Sequence, residues 1–191
     1  MTIHRIRMLG DPILRTRCDP ISTPKSPAAK LVTHDLKETL ADLRARTGMG
    51  RGLGAPQIGA PIRIIYLELE QPWLLINPEI IDIGTDDFLV WDDCFSFPDL
   101  MVQVQRAYHI QVRYTDRQGQ DQILDAEGPL AELLQHEIDH LDGLLAVDRA
   151  AGLDPFCLRE EWNKHYAGGG RYGEAYPRVV PKTAKNALLI D

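Results

Sequence analysis

Two histidines and a carboxylate lie close together in the run His136-Glu137-Ile138-Asp139-His140. Residues four apart share one face of a helix, so His136 and His140 can both bind one metal ion. Glu137, next to the first of them, can accept the proton of a water held by that metal. A helix that carries two histidines by chance would leave Glu137 and Asp139 unexplained. The spacing therefore predicts a metal-dependent hydrolase site.

Such a site needs a third protein ligand and leaves one position open for water. One candidate lies downstream, at Glu160 or Glu161, as in thermolysin-like zinc proteases. The other lies upstream, at Cys94, which ends a strand-like run and precedes polar and turn residues. The residues alone leave this choice open. Asp139 and Asp142 are both expected to accept the N–H of a ligating imidazole.

The elements that must position these residues are a block of strands with helices before and after it. An amphipathic helix is predicted over residues 28–46, with Pro27 in its first turn and Gly48 and Gly50 at its end. Residues 50–59 are predicted to form a loop. Strands are predicted over residues 62–69, 73–76, 80–83, 88–91, 102–105 and 109–115. Short links between them imply antiparallel pairing.

The histidines lie in the middle of a helix predicted over residues 129–145. A further helix is predicted from Asp154-Pro155, a cap residue followed by proline, and ends at Gly168. We therefore expect an α+β fold with antiparallel β-sheets around the central, histidine-bearing helix and with an N-terminal and a C-terminal helix. Residues 1–170 are expected to form one domain, and residues 171–191 a C-terminal extension.

Charge and composition exclude several classes of protein. The net charge of −7 argues against a duplex DNA-binding protein, which usually shows a basic stripe. The sequence contains no apolar run near the ~20 residues of a membrane span and no signal-peptide core at its N-terminus. The three cysteines are an odd number at wide spacings, which does not fit a disulfide framework; they are Cys18, Cys94 and Cys157. We expect a cytoplasmic protein that binds neither DNA nor membrane.

Three ordered motifs resemble those of the peptide deformylase family. The family motifs are Gly-x-Gly-x-Ala-Ala-x-Gln, Glu-Gly-Cys-Leu-Ser and His-Glu-x-Asp-His. The matching residues, in motif order, are Gly50, Gly52, Ala55 and Gln57; Cys94 and Ser96; and His136, Glu137, Asp139 and His140. The first motif also fits a dinucleotide-binding pattern, but a helix rather than a strand precedes it. The resemblance extends from about residue 8 to about residue 149 and includes most of the chain.

The resemblance implies a metal-dependent amide hydrolase that removes the N-formyl group from N-formylmethionyl peptides or nascent proteins and releases formate. It implies that Cys94, His136 and His140 hold one divalent metal ion. Fe²⁺ is expected first, with Zn²⁺, Ni²⁺ or Co²⁺ as alternatives. The metal would provide hydroxide at neutral pH, and Glu137 would pass the water proton to the departing amine.

The resemblance also implies roles for residues outside the metal ligands. The side-chain amide of Gln57 and the backbone N–H of Phe95 would bind the developing oxyanion. Gly50 and Gly52 would let the substrate approach as an added strand. Arg106 matches a family arginine that supports the metal-binding loop.

Several positions depart from the family pattern. Gly54 stands in place of the first alanine, and Asp92-Asp93 replace Glu-Gly. Asp93 would be strained if its position requires positive φ. Arg51 and Glu132 replace apolar residues near the expected substrate pocket. We hypothesise that they face each other and reshape the pocket, by a salt bridge or by binding a polar side chain.

Two alternatives follow from these departures. The first is a non-standard acyl-peptide substrate, and the second is a binding role without catalysis, against which the intact Glu137 argues. The basic tail is interpreted as a solvated or packed extension, with ribosome contact as the alternative. Its cations are Arg171, Arg178, Lys182 and Lys185. The sequence does not decide between monomer and dimer.

Overall fold

A computed structural model describes residues 3–169 and 179–181 of the chain. Within this part the chain forms two antiparallel sheets and three α-helices, and this confirms the α+β fold. The helices are α1 (Pro27–Thr47), α2 (Gly128–Leu141) and α3 (Arg159–His165). The strands are β1 (Gly52–Gly54), β2 (Ile64–Glu68), β3 (Pro72–Ile83), β4 (Asp86–Asp93), β5 (Leu100–Ala107), β6 (His109–Thr115), β7 (Asp121–Glu127), β8 (Phe156–Leu158) and β9 (Val179–Pro181).

The two sheets enclose α2. One sheet has the strand order β1-β2-β3-β6-β7 and the other β8-β5-β4-β9. The chain leaves the first sheet after β3, forms the β4–β5 hairpin of the second, and returns at β6. α2 packs against β1 and β7 of the first sheet and against β5 of the second. Its apolar residues Leu133, Leu134, Ile138 and Leu141 are buried. The predicted central position of the histidine-bearing helix is confirmed.

α1 has the ends that its sequence predicts. The side chain of Ser26 accepts a hydrogen bond from the Ala29 N–H, and Pro27 occupies the first turn. Gly48 ends the helix in the left-handed conformation, at φ 71°, and its N–H donates to the Arg44 carbonyl. Glycine adopts this conformation at little cost, which is why it stops the helix there.

The two strands predicted over residues 73–76 and 80–83 are one strand, because β3 runs through Asn77-Pro78. Asn77 has φ 52°, and the pairing of β3 with β6 shifts register between Ile76 and Glu79. The Asn77 side chain accepts from the Ile21 N–H and donates to the Ile21 carbonyl, both at 2.8 Å. These bonds to a distant segment stabilise a bulge where local chemistry favours a turn.

Two strands arise from pairing that the sequence pattern does not reveal. Residues 50–59 were expected to be a loop, but Gly52–Gly54 pairs with β2 as an edge strand, and a 3₁₀ turn follows at Ala55–Ile58. β7 was not predicted, because its side chains are mostly polar and exposed. It pairs with β6 along its whole length, from His109 opposite Glu127 to Thr115 opposite Asp121. Backbone pairing outweighs weak strand propensity here.

The C-terminal helix begins later than predicted. The expected cap at Asp154-Pro155 is wrong, because Phe156–Leu158 pairs with β5 and α3 starts only at Arg159. The central helix also ends earlier than predicted, at Leu141. Gly143 there has φ 74°, and any side chain on it would collide with the Arg15 carbonyl.

The basic tail residues Arg171, Arg178, Lys182 and Lys185 lie outside the described residues, so contact with the ribosome stays a prediction. The division of the chain at residue 170 stays a prediction too. Only the backbone of β9 is described in this region, and it pairs with β4. Among the described residues, no helix combines the length and apolarity that a membrane crossing requires.

Candidate metal centre

Three donor atoms converge between the end of β4 and one face of α2. The Sγ of Cys94 lies 3.2 Å from the Nε2 of His140, which lies 3.2 Å from the Nε2 of His136. All three donor atoms lie within 4.8 Å of one another, and all three side chains are buried. Around one tetrahedral ion, such donors are roughly 3.4–3.6 Å apart. One thiolate and two imidazoles at these separations fit a single divalent metal.

The downstream candidates for the third ligand lie on the surface. Glu160 and Glu161 belong to the exposed side of α3, where their carboxylates each lie 2.8 Å from the ammonium group of Lys164. Neither belongs to a group of metal-ligating side chains in the described part of the chain. The endopeptidase-type ligand set is therefore wrong, and Cys94 is the donor that the fold brings to the histidines.

Asp92 orients the first imidazole. Its Oδ2 lies 2.9 Å from the Nδ1 of His136, so the Nε2 faces the other two donors. Asp92 and Cys94 are two residues apart at the end of β4 and therefore point to the same side. This alternation could have revealed Asp92 from the sequence once Cys94 was taken as a ligand. A carboxylate behind a ligating histidine fixes the ring and increases its basicity.

Asp139 and Asp142 do not take the expected role. Asp139 accepts hydrogen bonds from Arg106 and Arg149, and Asp142 accepts one from Arg63 at 2.6 Å. The prediction that these carboxylates accept imidazole N–H groups is wrong. The carboxylate oxygens of Asp139 are instead occupied by the two arginines, and Asp142 lies beyond the last residue of α2.

A buried charged chain connects the candidate ligands to both sheets. Arg106 of β5 donates to Asp92 at 3.2 Å and to Asp139 of α2, and all three side chains are almost wholly buried. Asp92 in turn contacts His136. Arg106 therefore joins β4, β5 and α2 behind the donors, in line with its expected support of the metal-binding loop.

The two imidazoles differ electrostatically. Burial lowers the pKa of both, but at His136 the carboxylate of Asp92 outweighs burial and raises the pKa well above its usual value. At His140, burial and the neighbouring His136 hold the pKa well below its usual value. His140 is thus neutral at physiological pH, the form in which an imidazole binds a metal.

Gln57 is held with its amide group toward the donors. Its Oε1 accepts from the Gly54 N–H at 2.9 Å, and its Nε2 lies 3.4 Å from both the Sγ of Cys94 and the Oγ of Ser96. Its N–H groups therefore point into the candidate centre. Within residues 3–169, the backbone N–H of Phe95 donates to no protein acceptor. Both proposed oxyanion donors are thus placed beside Cys94.

Glu137 lies beside the donors with its side chain almost wholly buried. Burial raises the pKa of its carboxyl group to about 7. Among the described residues its Oε2 has no hydrogen-bond partner. Gly52 of β1 leaves space for it, since a Cβ there would lie 2.7 Å from the Oε1 of Glu137. A carboxyl group with this pKa can both accept and donate a proton near neutral pH.

Arg51 and Glu132 meet as hypothesised. The Nη2 of Arg51 lies 2.6 Å from the Oε2 of Glu132, whose side chain is only 1% exposed. Burial raises the pKa of Glu132, and Arg51 opposes that rise. Asp92, Glu132 and His136 form a second group of close donor atoms. Arginine charges beside both carboxylates make that group a poor cation site.

A cavity of about 450 Å³ lies between the edge of β1 and the loop around Cys94. Gly50, Arg51 and Gly52 line one wall, and Asp93 lines the other. Asp93 is not strained, because Asn77 is the only non-glycine residue with positive φ in the described part of the chain. Asp93 instead pairs with Arg159 at 2.8 Å.

A cysteine sulfur, two imidazoles and a buried carboxyl group around one cavity are the groups that a metal-dependent amide hydrolase uses. Comparison with known families agrees with this class. The model of the family described as Polypeptide deformylase matches residues 3–156. The chain therefore belongs to the polypeptide deformylase family.

Individual relatives of this chain belong to the same family. The chain is 38% identical over 154 residues to the peptide deformylase of Rhizobium meliloti, a match over 78% of this chain and 85% of the relative. The crystal structure of Thermotoga maritima peptide deformylase superposes with a TM-score of 0.73 at 33% identity, over 80% of this chain and 100% of that one. The crystal structure of an Acinetobacter baumannii class I type b peptide deformylase with Met-Ala-Ser bound superposes with a TM-score of 0.71 at 27% identity. The match covers 78% of this chain and 98% of that one.

The two arginines that pair with Asp139 differ in burial, and this predicts different costs of replacement. Arg106→Met should lower the free energy of unfolding by about 3–5 kcal/mol, because it removes the buried cation that pairs with both Asp92 and Asp139. Arg149, whose side chain is 46% exposed, is the matched control. Arg149→Met should cost less than about 1 kcal/mol. Urea denaturation of the metal-free proteins measures both, and equal losses would contradict the assigned role of Arg106.

Proposed function

We propose that this chain hydrolyses the N-formyl group of N-formylmethionyl peptides or nascent proteins and releases formate. The observation that carries the proposal is the convergence of Cys94, His136 and His140 on one point beside the buried carboxyl group of Glu137. Membership of the deformylase family supports the same reaction. A binding role without catalysis would require neither the donor cluster nor the raised pKa of Glu137.

The proposed roles follow from the positions of the side chains. Cys94, His136 and His140 would hold a divalent ion, which when bound supplies Lewis acidity and lowers the pKa of a water to roughly 7. Glu137 accepts the proton of the attacking water and returns it to the departing amine nitrogen. Gln57 and the Phe95 N–H donate to the oxygen of the formyl group as it gains negative charge.

The proposed native metal is Fe²⁺, with Zn²⁺, Ni²⁺ or Co²⁺ as alternatives. A ligand set of one thiolate and two imidazoles suits each of these ions, so the donors alone do not choose among them. The loss of activity in air would separate Fe²⁺ from the redox-inert Zn²⁺.

The proposed peptide site is the free edge of β1. Among the described residues β1 is the terminal strand of its sheet, and Gly52 at its start lines the cavity together with Gly50 and Arg51. An extended peptide can add to such an edge through main-chain hydrogen bonds. The Acinetobacter baumannii relative binds the tripeptide Met-Ala-Ser, and this supports a short peptide as the ligand of this edge.

Formate release should depend on Glu137 without a loss of metal. The Fe²⁺ form, prepared anaerobically, should release formate from N-formyl-Met-Ala-Ser. Glu137→Gln should lower kcat by about 10²–10⁴-fold, because it removes the group that moves the proton. Formate and bound metal are measured on the same samples. No release by the wild-type Fe²⁺ protein would make the assigned activity wrong.

The ligand set is tested with the same preparations. Cys94→Ala should lose the bound metal, whereas Glu137→Gln should keep it. Glu161→Gln is a matched control on the exposed side of α3 and should keep both metal and activity. Retention of metal by Cys94→Ala would contradict the proposed ligands.

We further propose that Arg51 and Glu132 adapt the substrate pocket to a polar first side chain. Glu132, Leu133 and Pro129 of α2 line the cavity together with Arg51. An ion pair on this wall presents charged groups where the family usually presents aliphatic ones. A polar substrate side chain could hydrogen-bond to this wall, while the methionine side chain would lose some apolar contact.

The double variant Arg51→Val/Glu132→Leu tests this role of the ion pair, because it replaces both partners with apolar residues. It should increase the ratio of kcat/KM for N-formyl-Met-Ala-Ser over N-formyl-Gln-Ala-Ser by about tenfold, since the pocket then favours an apolar side chain. Removing both partners avoids leaving one charge buried alone. An unchanged ratio would show that the pair does not contact the first side chain.

A further inference from the structure

Arg159 reaches the cleft from a segment that follows the family match, which ends at residue 156. It is the first residue of α3, and its backbone N–H donates to the Asp99 carbonyl at 2.8 Å. Its Nε donates to the Pro98 carbonyl at 2.5 Å, and its Nη2 donates to the Oδ2 of Asp93 at 2.8 Å. The guanidinium group is therefore held in place against the loop that carries Cys94.

The third nitrogen of the same side chain reaches the opposite wall. The Nη1 of Arg159 lies 3.9 Å from the Sδ of Met49, which precedes β1. Met49, Pro98 and Arg159 all line the cavity. Arg159 thus spans the cavity between its two walls. A thioether is a weak acceptor, so this nitrogen retains capacity to bind a stronger one.

The residues of β1 and of the segment before it lie one after another between the metal centre and Arg159. A Cβ on Gly54 would lie 3.3 Å from the Cβ of His140, and one on Gly52 would lie 2.7 Å from the Oε1 of Glu137. A Cβ on Gly50 would meet the ring of Phe95 at 2.8 Å. Met49, next in the chain, contacts Arg159. The path along this edge therefore leads from the candidate metal ligands to the guanidinium group.

The length of this path limits the length of the substrate. Even a fully extended chain advances only about 3.3–3.6 Å per residue, so the three residues from Gly52 to Met49 span at most about 10–11 Å. A peptide laid along the edge of β1, with its formyl group beside Glu137, brings its second or third residue to Arg159. A longer chain would have to pass the side chain that bridges the walls.

We infer that Arg159 binds the C-terminal carboxylate of short N-formyl peptides, of two or three residues, and makes the enzyme prefer them to longer chains. The inference rests on the proposed deformylase function and narrows its substrate class. A guanidinium group binds a carboxylate through charge-assisted, often paired hydrogen bonds. The contacts to Pro98 and Asp93 orient Arg159 before the substrate arrives, which reduces the entropic cost of binding.

The test compares three substrates that share their first residues: N-formyl-Met-Ala-Ser with a free carboxylate, its C-terminal amide, and a ten-residue N-formyl peptide beginning with the same tripeptide. The wild-type protein should prefer the free acid to the amide by about tenfold in kcat/KM, since one hydrogen-bonded charge pair is lost with the amide. Arg159→Gln should abolish this preference, mainly through KM, and should improve the relative rate on the long peptide. Arg159→Lys should retain part of the preference.

Arg113→Gln is the control, because Arg113 lies on β6 in an exposed ion pair with Glu79. It should leave all three rates unchanged, and thermal unfolding shows whether each variant is folded. Equal rates of the wild-type protein on acid and amide would overturn the inference. So would an equal loss on all three substrates in Arg159→Gln, which would make Arg159 only a link between α3 and the metal-binding loop.

Failure of the inference can be separated from failure of the proposed function. No formate from any substrate would reject the function itself. The carboxylate preference is then measured without turnover, by calorimetric binding of Met-Ala-Ser and its amide to the metal-loaded protein and to Arg159→Gln. Tighter binding of the acid to the wild-type protein alone would support the role of Arg159, and equal binding of acid and amide would reject it.

Discussion

The buried charged chain from His136 through Asp92 and Arg106 to Asp139 is the interaction on which the candidate centre depends. Each charge placed between the sheets would cost several kcal/mol without its partner, so β4, β5 and α2 must keep the spacing at which all are paired. Asp92 lies two residues before Cys94, and His136 lies one turn before His140. The same spacing therefore sets the separation of the three metal donors. The paired charges behind the three donor atoms therefore stabilise the candidate centre as much as the apolar side chains around it do.

The free edge of β1 is the second constraint. The three residues of β1 pair with β2, and Gly52 at the start of the strand lines the cavity. The absence of a side chain at Gly52 leaves space for Glu137. Charged pairs occupy both walls where the family carries apolar residues or glycine. Arg51 pairs with Glu132 near the centre, and Asp93 pairs with Arg159 at the far end. Arg51, Glu132 and Asp93, which depart from the family pattern, each have a charged partner on another segment of this chain.

Elements with strong local signals could be predicted, and elements that depend on distant partners could not. α1 has a capping serine, an initial proline and a terminal glycine, all of which act within one turn of the helix. β7 has no such signal and exists because β6 lies beside it. The bulge at Asn77 requires Ile21, which is remote in sequence. The late start of α3 has the same origin, since Phe156–Leu158 is taken up as a strand by β5.

The sequence by itself determined which side chains could hold a metal and move a proton, because i and i+4 spacing on a helix is a local property. It also placed Arg51 and Glu132 at one wall through the resemblance to a family. Without the family resemblance, the choice between Cys94 and the downstream glutamates depends on the tertiary structure. The tertiary structure alone replaced Asp139 with Asp92 as the partner of His136. It also brought Arg159 to the cleft. These outcomes depend on how the two sheets pack around α2, because the distance between two elements is not determined by the sequence of either element alone.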